Sequence, residues 1–291
     1  MSTEVGLAFD SKFMSYGLVD NKDPIITPSA AVTFFDWLTF EVAALFDTTT
    51  YGRKAGYSNR GGRYIELDPG VSLGHAFSPD DYAFLPTTVE FSLGYAYEYH
   101  PRAMGEAGED TQFVTFEVAL PDLWVEPTLA FERDIDRDNG TYVNLELGHT
   151  FALIDGESEG DDPLLAFRPS VAQGVGNTQR TRGYGLADDH GGLMDLCVKG
   201  ELTWNIGAGL ALSGYVAYYD YVFDSTLRDA GLRGDGPRRH ELPLRGRPRP
   251  HRVVLIGDGI SWLELKERPG GGPLKRSPAF FMSAGHGARM V

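Results

Sequence analysis

Long segments of the chain alternate between apolar and polar residues with a period of two. Over residues 194–204, Leu196 and Val198 share one set of positions with other apolar residues, while Asp195 and Lys199 belong to the polar set. Successive side chains of a β-strand point to opposite faces of a sheet. The pattern therefore predicts strands with one apolar and one polar face, and no helical periodicity competes with it.

Eleven segments carry this alternation, and many of them are ten or more residues long. An ordinary strand averages about 5–6 residues, whereas a strand that crosses a bilayer needs about 9–11. The lengths therefore favour membrane-crossing strands. The predicted strands are 5–14, 25–34, 37–47, 64–77, 88–98, 111–120, 123–133, 141–151, 163–173, 194–204 and 209–222.

The connections between these segments alternate in length. Residues 35–36, 121–122 and 205–208 form short connections, whereas 48–63 and 174–192 are long and polar. Short turns at one end and long loops at the other are typical of outer-membrane barrels. We therefore predict an all-β fold, an antiparallel up-and-down transmembrane β-barrel of about twelve strands, in the outer membrane of a bacterium.

The composition excludes several classes of protein. The chain has 26 Lys and Arg against 41 Asp and Glu, a formal net charge of −15, which disfavours nucleic acid as a partner. The single cysteine, Cys197, excludes an intramolecular disulfide framework. The first residues have neither the basic region nor the apolar stretch of a signal peptide, so we expect a processed or truncated form.

The composition changes near Ala230. Residues 231–291 carry 12 basic and 5 acidic residues, contain no tyrosine and are rich in Pro, Gly and Arg. We predict that residues 1–230 form the barrel and that 231–291 are a basic tail, either non-native through a frame shift or fusion, or poorly ordered. Little regular structure should then follow residue 231, and the seam between the first and eleventh strands should be open or poorly closed. The alternative is a native extension in which 252–266 form an irregular closing strand.

Two stretches of the sequence resemble small Gram-negative outer-membrane porins, most of all the TorF-like porin family. They are GLAFDSKFMSYGLVDNKDPIITPSAAVTF near the start and LTWNIGAGLALSGYVAYYDYVF later in the chain. Phe13 and Gly17 match the aromatic residue and the glycine of the family's opening motif, and Pro24 or Pro28 matches its proline, while Tyr16 stands where the family has arginine. The resemblance implies a barrel of about twelve strands and a role in diffusion.

The polar face of the strands predicts which residues line the barrel. It carries ten acidic and three basic residues, and such an excess focuses negative potential and attracts cations. The predicted pore-lining residues are Asp10, Lys12, Glu41, Glu66, Asp68, Glu90, Glu117, Glu126, Glu146, Arg168, Asp195, Lys199 and Glu201.

The apolar face predicts a lipid-facing belt bordered by a girdle of aromatic rings. We expect it to contact outer-membrane lipid and lipopolysaccharide. The predicted lipid-facing residues are Leu93, Val118, Leu147, Val198 and Leu212, and the predicted girdle consists of Trp37, Trp124, Trp204, Tyr97 and Tyr218.

The motifs that suggest chemistry are weak. Residues 74–78 place a histidine near a serine as in barrel lipases, but His75 falls on the apolar set, so we predict no catalytic residue. Residues 134–145 begin like a calcium loop, but Asn139 replaces the required glycine and Leu145 the required glutamate. Asn139 followed by Gly140 favours a hairpin turn. We expect no metal and no cofactor.

Three functions remain in competition. The first is a passive porin-like channel with an acidic, cation-preferring lumen, open to small solutes or ions. The second is a closed barrel with a structural or surface-binding role and no open pore. The third is a soluble β-barrel that binds a ligand in an apolar interior.

Overall fold

A computed structural model describes residues 1–21, 24–48, 63–100, 110–156, 162–183, 191–207, 209–220 and 255–267. No helix within these ranges is long and apolar enough to cross a membrane. The strands are Ser2–Asp10 (β1), Phe13–Ser15 (β2), Leu18–Asn21 (β3), Ile25–Phe34 (β4), Leu38–Asp47 (β5), Arg63–Phe77 (β6), Val89–Glu98 (β7), Thr111–Ala119 (β8), Thr128–Asp134 (β9), Thr141–Gly148 (β10), Phe151–Ile154 (β11), Leu165–Gly176 (β12), Gly192–Gly207 (β13), Leu210–Asp220 (β14) and Leu255–Glu267 (β15), and one short helix is Thr178–Gly183 (α1).

The large sheet closes on itself. Its strands pair in the order β10-β9-β8-β7-β6-β5-β4-β1-β15-β14-β13-β12, and a further pairing of β10 with β12 completes the ring. Every pairing in this ring is antiparallel. The short β11 lies along the start of β12, where it follows on from β10. The predicted antiparallel barrel of about twelve strands is confirmed.

Closure satisfies the backbone hydrogen-bonding groups of every strand in the ring. An open sheet would leave a row of unpaired N–H and C=O groups at each edge, which is costly in lipid. Because neighbours in the ring are also neighbours along the chain, the connections fall alternately at the two ends of the barrel. We call the end at which β1, β5 and β7 finish the loop end, and the opposite end the turn end.

At the turn end, residues 35–37 form a short connection as predicted, and β13 ends at Gly207 shortly before β14 begins at Leu210. The predicted short connection 121–122 is wrong, because residues 120–127 all lie between β8 and β9. Phe35 and Asp36 both have positive φ, of 56° and 62°, and the N–H of Trp37 donates to the carbonyl of Phe34 at 3.2 Å. Two such residues make the two-residue turn whose twist matches that of antiparallel strands. The long loops 48–63 and 174–192 lie at the loop end, partly outside the described residues.

Several strand boundaries differ from the predicted ones. The predicted strand 123–133 begins only at Thr128, because residues 120–127 form hydrogen-bonded turns. The predicted strand 141–151 is interrupted between β10 and β11, where the N–H of Thr150 donates to the Glu126 carboxylate instead of joining the ladder. The predicted strand 5–14 ends earlier, at Asp10.

The strand β15 corrects the prediction for the tail. It pairs on one side with β1, where Thr3 lies opposite Glu267, and on the other with β14. The expected open seam is therefore wrong, and regular structure does follow residue 231. The boundary at residue 230 and the remainder of 231–291 lie outside the described residues, so the origin of the tail stays a prediction.

Inside the ring lies a second small sheet made of β2 and β3, which we call the lumen hairpin. Its two-residue turn consists of Tyr16 and Gly17, whose φ angles of 47° and 76° are both positive, as such a hairpin turn requires. The ring of Phe13 packs against an apolar cluster of Ile25 and Leu45 on β4 and β5. These contacts fix the hairpin to one wall of the barrel at the loop end.

Candidate functional site

The interior of the barrel is polar and its exterior apolar. On β12 the residues Ala166 and Ser170 are buried, while Phe167 and Val171, which alternate with them, are exposed. A water-soluble barrel has the opposite distribution, because burial of apolar side chains drives its folding. The exposed apolar side chains on the strands include Val5, Leu7, Phe9, Phe40, Val42, Leu73, Leu93, Phe116, Leu129, Leu145, Leu147, Val171, Val198, Leu202 and Val216.

Acidic groups dominate the charged side chains that the barrel buries. Among the described residues the buried acids are nine and the buried bases two. Groups of one sign in a confined, low-dielectric space raise the local concentration of the opposite ion. The buried acids are Asp10, Glu41, Asp47, Glu66, Asp68, Glu132, Asp134, Glu146 and Asp195, and the buried bases are Arg180 and Lys199.

All the predicted pore-lining residues are buried or half-buried. The half-buried ones are Lys12, Glu90, Glu117, Glu126, Arg168 and Glu201. Of the predicted lipid-facing residues, four are exposed and Val118 is half-buried. Their roles as lumen and lipid contacts stay predictions, because burial describes where a side chain lies and not what it contacts in a bilayer.

The predicted aromatic girdle divides between the two ends of the barrel. Trp37, Trp124 and Trp204 are exposed at the turn end. Tyr97 and Tyr218 lie near the loop ends of β7 and β14, and each donates its hydroxyl to a nearby aspartate, at 2.7 and 3.0 Å. Aromatic rings at both rims are what two membrane interfaces would select.

The basic groups of the lumen are paired with acids. Near the turn end, Arg168 forms an ion pair with Glu146 and a second one with Glu126, with Nε 3.4 Å from Oε2. On β13, the Lys199 ammonium lies 2.8 Å from the Glu201 carboxylate. These pairs neutralise only part of the charge on the wall formed by β10, β12 and β13, because Arg168 faces two carboxylates and Asp195 also lies on β13.

Arg180 of α1 is almost fully buried near the loop end. Its Nη2 donates to the Glu132 carboxylate at 2.7 Å, and its Nη1 lies 3.6 Å from Asp138 Oδ2. Its guanidinium also lies over the ring of Tyr16, 4.9 Å from the centroid, and 5.5 Å from that of Phe113. A planar cation held between two rings and two carboxylates is strongly fixed in position.

The lumen hairpin meets Arg180 through Tyr16. The Tyr16 hydroxyl donates to Glu132, and its ring packs edge-on against Tyr142, with centroids 4.8 Å apart. Tyr142 in turn donates to Asp195 Oδ1 at 2.9 Å. Together with the contacts of Phe13, this cluster makes the hairpin span the lumen from the wall of β4 and β5 to that of β9 and β10.

A glycine makes room for this cluster. A Cβ on Gly174 would lie 2.1 Å from Asp195 Oδ1 and 2.2 Å from the Tyr142 hydroxyl. Any side chain at Gly174 would therefore displace the Tyr142–Asp195 hydrogen bond.

The carboxylates that suggest a calcium loop are engaged in the turn before β10. Asp134 Oδ1 accepts the backbone N–H groups of Asp136 and Arg137, each at 2.9 Å, and its Oδ2 accepts the Thr111 hydroxyl. Asn139 has a φ of 53°, but Gly140 is not among the glycines with positive φ, and residues 135–140 all lie between β9 and β10, so the connection is longer than the predicted Asn-Gly hairpin turn. Burial raises the pKa of Asp138 above its ordinary value, and the neighbouring Arg180 opposes that rise.

Several of these residues were missed by the sequence reasoning. Glu132 and Tyr142 are an even number of residues away from the predicted lumen residues Glu126 and Glu146, respectively. The alternation of their strands therefore predicts that they face the lumen too. Arg180 lies in the short helix α1, within a long connection in which the sequence shows no strand alternation.

Comparison with known proteins finds likeness only at the level of solved structures. No protein-family model matches the sequence, and no curated protein is similar to it. The resemblance to the TorF-like porin family therefore stays a prediction.

Three of the solved structures that match have a weak likeness to this chain. An outer membrane channel from Pseudomonas putida F1 has a TM-score of 0.43 at 10% identity, over 91% of this chain and 93% of that one. OccAB3 from Acinetobacter baumannii has a TM-score of 0.35 at 8% identity, over 89% of this chain but only 58% of that one. OmpF of Salmonella typhi, in complex with daunomycin, has a TM-score of 0.35 at 9% identity, over 92% and 97%. At these scores, residue roles in those proteins do not transfer to this chain.

Proposed function

We propose that the chain is an outer-membrane barrel of a Gram-negative bacterium and that it conducts small cations through an acidic lumen. The observation that carries the proposal is the inverted distribution of polarity. Most buried side chains on the strands are polar or small, and many large apolar ones are exposed. In a bilayer this arrangement puts apolar side chains in lipid and leaves a polar interior for water. The outer surface would contact outer-membrane lipid and lipopolysaccharide.

The soluble alternative requires an apolar interior, and the described interior is polar. Small apolar clusters do occur inside: Ile25 and Leu45 hold the lumen hairpin through Phe13, and another cluster consists of the small residues Ala172, Cys197 and Ala217. This distribution therefore favours a membrane barrel over a soluble ligand-binding one.

Cation preference follows from the charges of the lumen. Arg168, Arg180 and Lys199 are each paired with acids. By contrast, Asp68 is buried beside the acidic groups of Glu66, Glu98 and Glu41, and no basic side chain among the described residues forms an ion pair with it. A mobile cation entering the lumen meets negative potential that fixed bases do not cancel.

A closed barrel is the second candidate, and the lumen hairpin is the observation that favours it. The hairpin crosses the lumen at the loop end, and both Tyr16 and Arg180 are at most 2% exposed. A twelve-strand barrel lies between the filled eight-strand and the open sixteen-strand barrels in width, so an internal hairpin narrows it substantially.

Conductance across a planar lipid bilayer distinguishes the two candidates. The full chain is reconstituted in the presence of EDTA, and the reversal potential is measured in a KCl gradient. An open pore gives discrete current steps, and cation preference moves the reversal potential toward that of K⁺. Absence of current would support the closed barrel, and anion preference would contradict the electrostatic argument.

A charge-matched pair of variants locates the origin of the selectivity. The double variant Glu90→Gln with Glu117→Gln removes two carboxyl groups from the lumen wall of β7 and β8 and should lower the cation preference. The control, Asp80→Asn with Asp155→Asn, removes two charges from exposed positions at the turn end. An equal shift in both would place the selectivity outside the lumen.

A further inference from the structure

A backbone bridge joins β6 to the residue that follows β7 at the loop end. The N–H of Leu67 donates to the carbonyl of Tyr99 at 2.9 Å, and the N–H of Tyr99 donates back at 2.8 Å. The residues flanking such a bridge lie opposite each other on the other face of the ladder. The four side chains placed together on the lumen face by this bridge are Glu66, Asp68, Glu98 and His100.

The register sets the pairs within this group, in which Glu66 is opposite His100 and Asp68 opposite Glu98. The Nε2 of His100 lies 3.2 Å from Oε2 of Glu66. One ligand atom each from Glu66, Glu98 and His100 can be chosen so that all lie within 4.8 Å of one another. Two donors on one tetrahedral zinc ion stand about 3.3 Å apart, given bond lengths of about 2.0–2.2 Å. The group is therefore already near the size of a coordination sphere.

Asp68 gives an independent reason to expect a cation here. Asp68 is 3% exposed, and the carboxyl groups of Glu66, Glu98 and Glu41 crowd it, with Glu66 close enough for a side-chain hydrogen bond. Buried carboxyl groups this close repel one another when charged, and a bound cation would offset that repulsion. Asp68 and the three-residue group share the same face of the same two strands.

We propose that Glu66, Glu98 and His100, with Asp68 as a fourth donor, bind a divalent late transition-metal ion of the Zn²⁺ type at the loop end of the lumen. An imidazole nitrogen together with carboxylate oxygens suits such ions, whereas Ca²⁺ prefers oxygen donors alone. Asp110 supports the site from outside, because its Oδ1 accepts the backbone N–H of His100 at 2.8 Å. This binding does not depend on whether the barrel conducts.

Zn²⁺ titration tests the proposal on the full chain folded in detergent and freed of metal by EDTA and dialysis. Calorimetry should show saturable binding of one ion per chain, and Co²⁺ should give the visible absorption of a histidine-containing site. His100→Ala and Glu66→Gln should each weaken Zn²⁺ binding at least about tenfold, since loss of a supporting residue alone costs that much at metal sites. Circular dichroism confirms that each variant keeps its strands.

The matched control is His149→Ala. His149 Nδ1 lies 3.9 Å from a Glu126 oxygen, but the guanidinium of Arg168 lies against the same carboxylate, which excludes a second cation. The control should bind Zn²⁺ as the wild type does. The proposal is overturned if the wild type binds no Zn²⁺, if Ca²⁺ binds more tightly than Zn²⁺, or if His100→Ala and His149→Ala behave alike.

Discussion

Replacing Leu93 with arginine tests whether the Leu93 side chain faces lipid on the outside of the barrel. Leu93 is the fifth of the ten residues of β7, so it lies near the middle of the strand, and its neighbours across the ladder, Leu73 and Phe116, are exposed as well. If this face meets lipid, Leu93→Arg places a charge near the bilayer midplane. The matched control is Gln112→Arg, at the loop end of β8 beside Asp136.

The magnitude follows from the exposure of Leu93. The side chain leaves 46% of its surface outside the barrel, so its removal sacrifices about half of the 1.5–3 kcal/mol of full burial, roughly 1 kcal/mol. An arginine at the midplane adds about 2–4 kcal/mol. We therefore expect Leu93→Arg to lower the free energy of unfolding by roughly 3–5 kcal/mol, whereas Gln112→Arg near the interface should cost about 0–1 kcal/mol.

The assay is equilibrium unfolding by guanidinium chloride in phosphatidylcholine vesicles, followed by tryptophan fluorescence. Trp37, Trp124 and Trp204 are exposed at the turn end, so their emission should change when the barrel leaves the lipid. Equal losses in the two variants would mean that depth on this face does not matter. The face would then not be in contact with lipid, and the inverted polarity would need another explanation.

Two further predictions concern the cluster around Arg180. Arg180→Met removes the basic partner of the buried Glu132 and should lower the free energy of unfolding by about 3–5 kcal/mol. If the barrel conducts, the variant should also pass more current, because Tyr16 loses a contact that holds it in the lumen. A loss of stability below about 1 kcal/mol would contradict the role given to the Arg180–Glu132 pair. Burial raises the pKa of Asp138, so the Asp138 carboxyl group is protonated at a higher pH in the folded chain than in the unfolded chain. The free energy of unfolding should therefore increase as the pH falls through the raised pKa of Asp138, and decrease again as the pH rises. Asp138→Asn should abolish that part of the dependence, which lies above the ordinary Asp value of about 3.9, and identical pH profiles for both proteins would contradict it.

The strands could be predicted from the sequence because an alternation with a period of two distinguishes a strand from a helix. The residues at which the strands end could not be predicted in this way. Thr150 leaves the ladder because Glu126, on a different connection, accepts its N–H. Such a partner is far away in sequence, so no local pattern contains it.

The closing strand shows a different limit. Leu255–Glu267 lacks clean alternation, yet it pairs on both sides. Backbone pairing depends on N–H and C=O groups that every residue except proline carries. Closing the ring therefore selects this segment for its backbone, which the side-chain pattern does not reveal.

The candidate site divides in the same way. The lumen acids on strands, such as Glu41 and Glu146, follow from the alternation of polar and apolar residues alone. The Tyr16–Arg180 contact depends on the lumen hairpin and α1, which belong to two different connections and meet inside the barrel. The group around His100 depends on the register between β6 and β7. Register is a relation between strands, so one strand's sequence does not contain it.

The pairing of β1 with β15 has a consequence for the order in which the barrel assembles. Every other seam joins strands that follow one another closely, but this one brings Thr3 to Glu267. Closing so long a loop costs about 2.5 kcal/mol more chain entropy than closing a 15-residue hairpin. The seam should thus form last, and until then the nascent sheet carries two unpaired edges that any other strand can join. We therefore expect the pairing of β1 with β15, the contact most distant in sequence, to be the slowest step of assembly and the step most prone to aggregation.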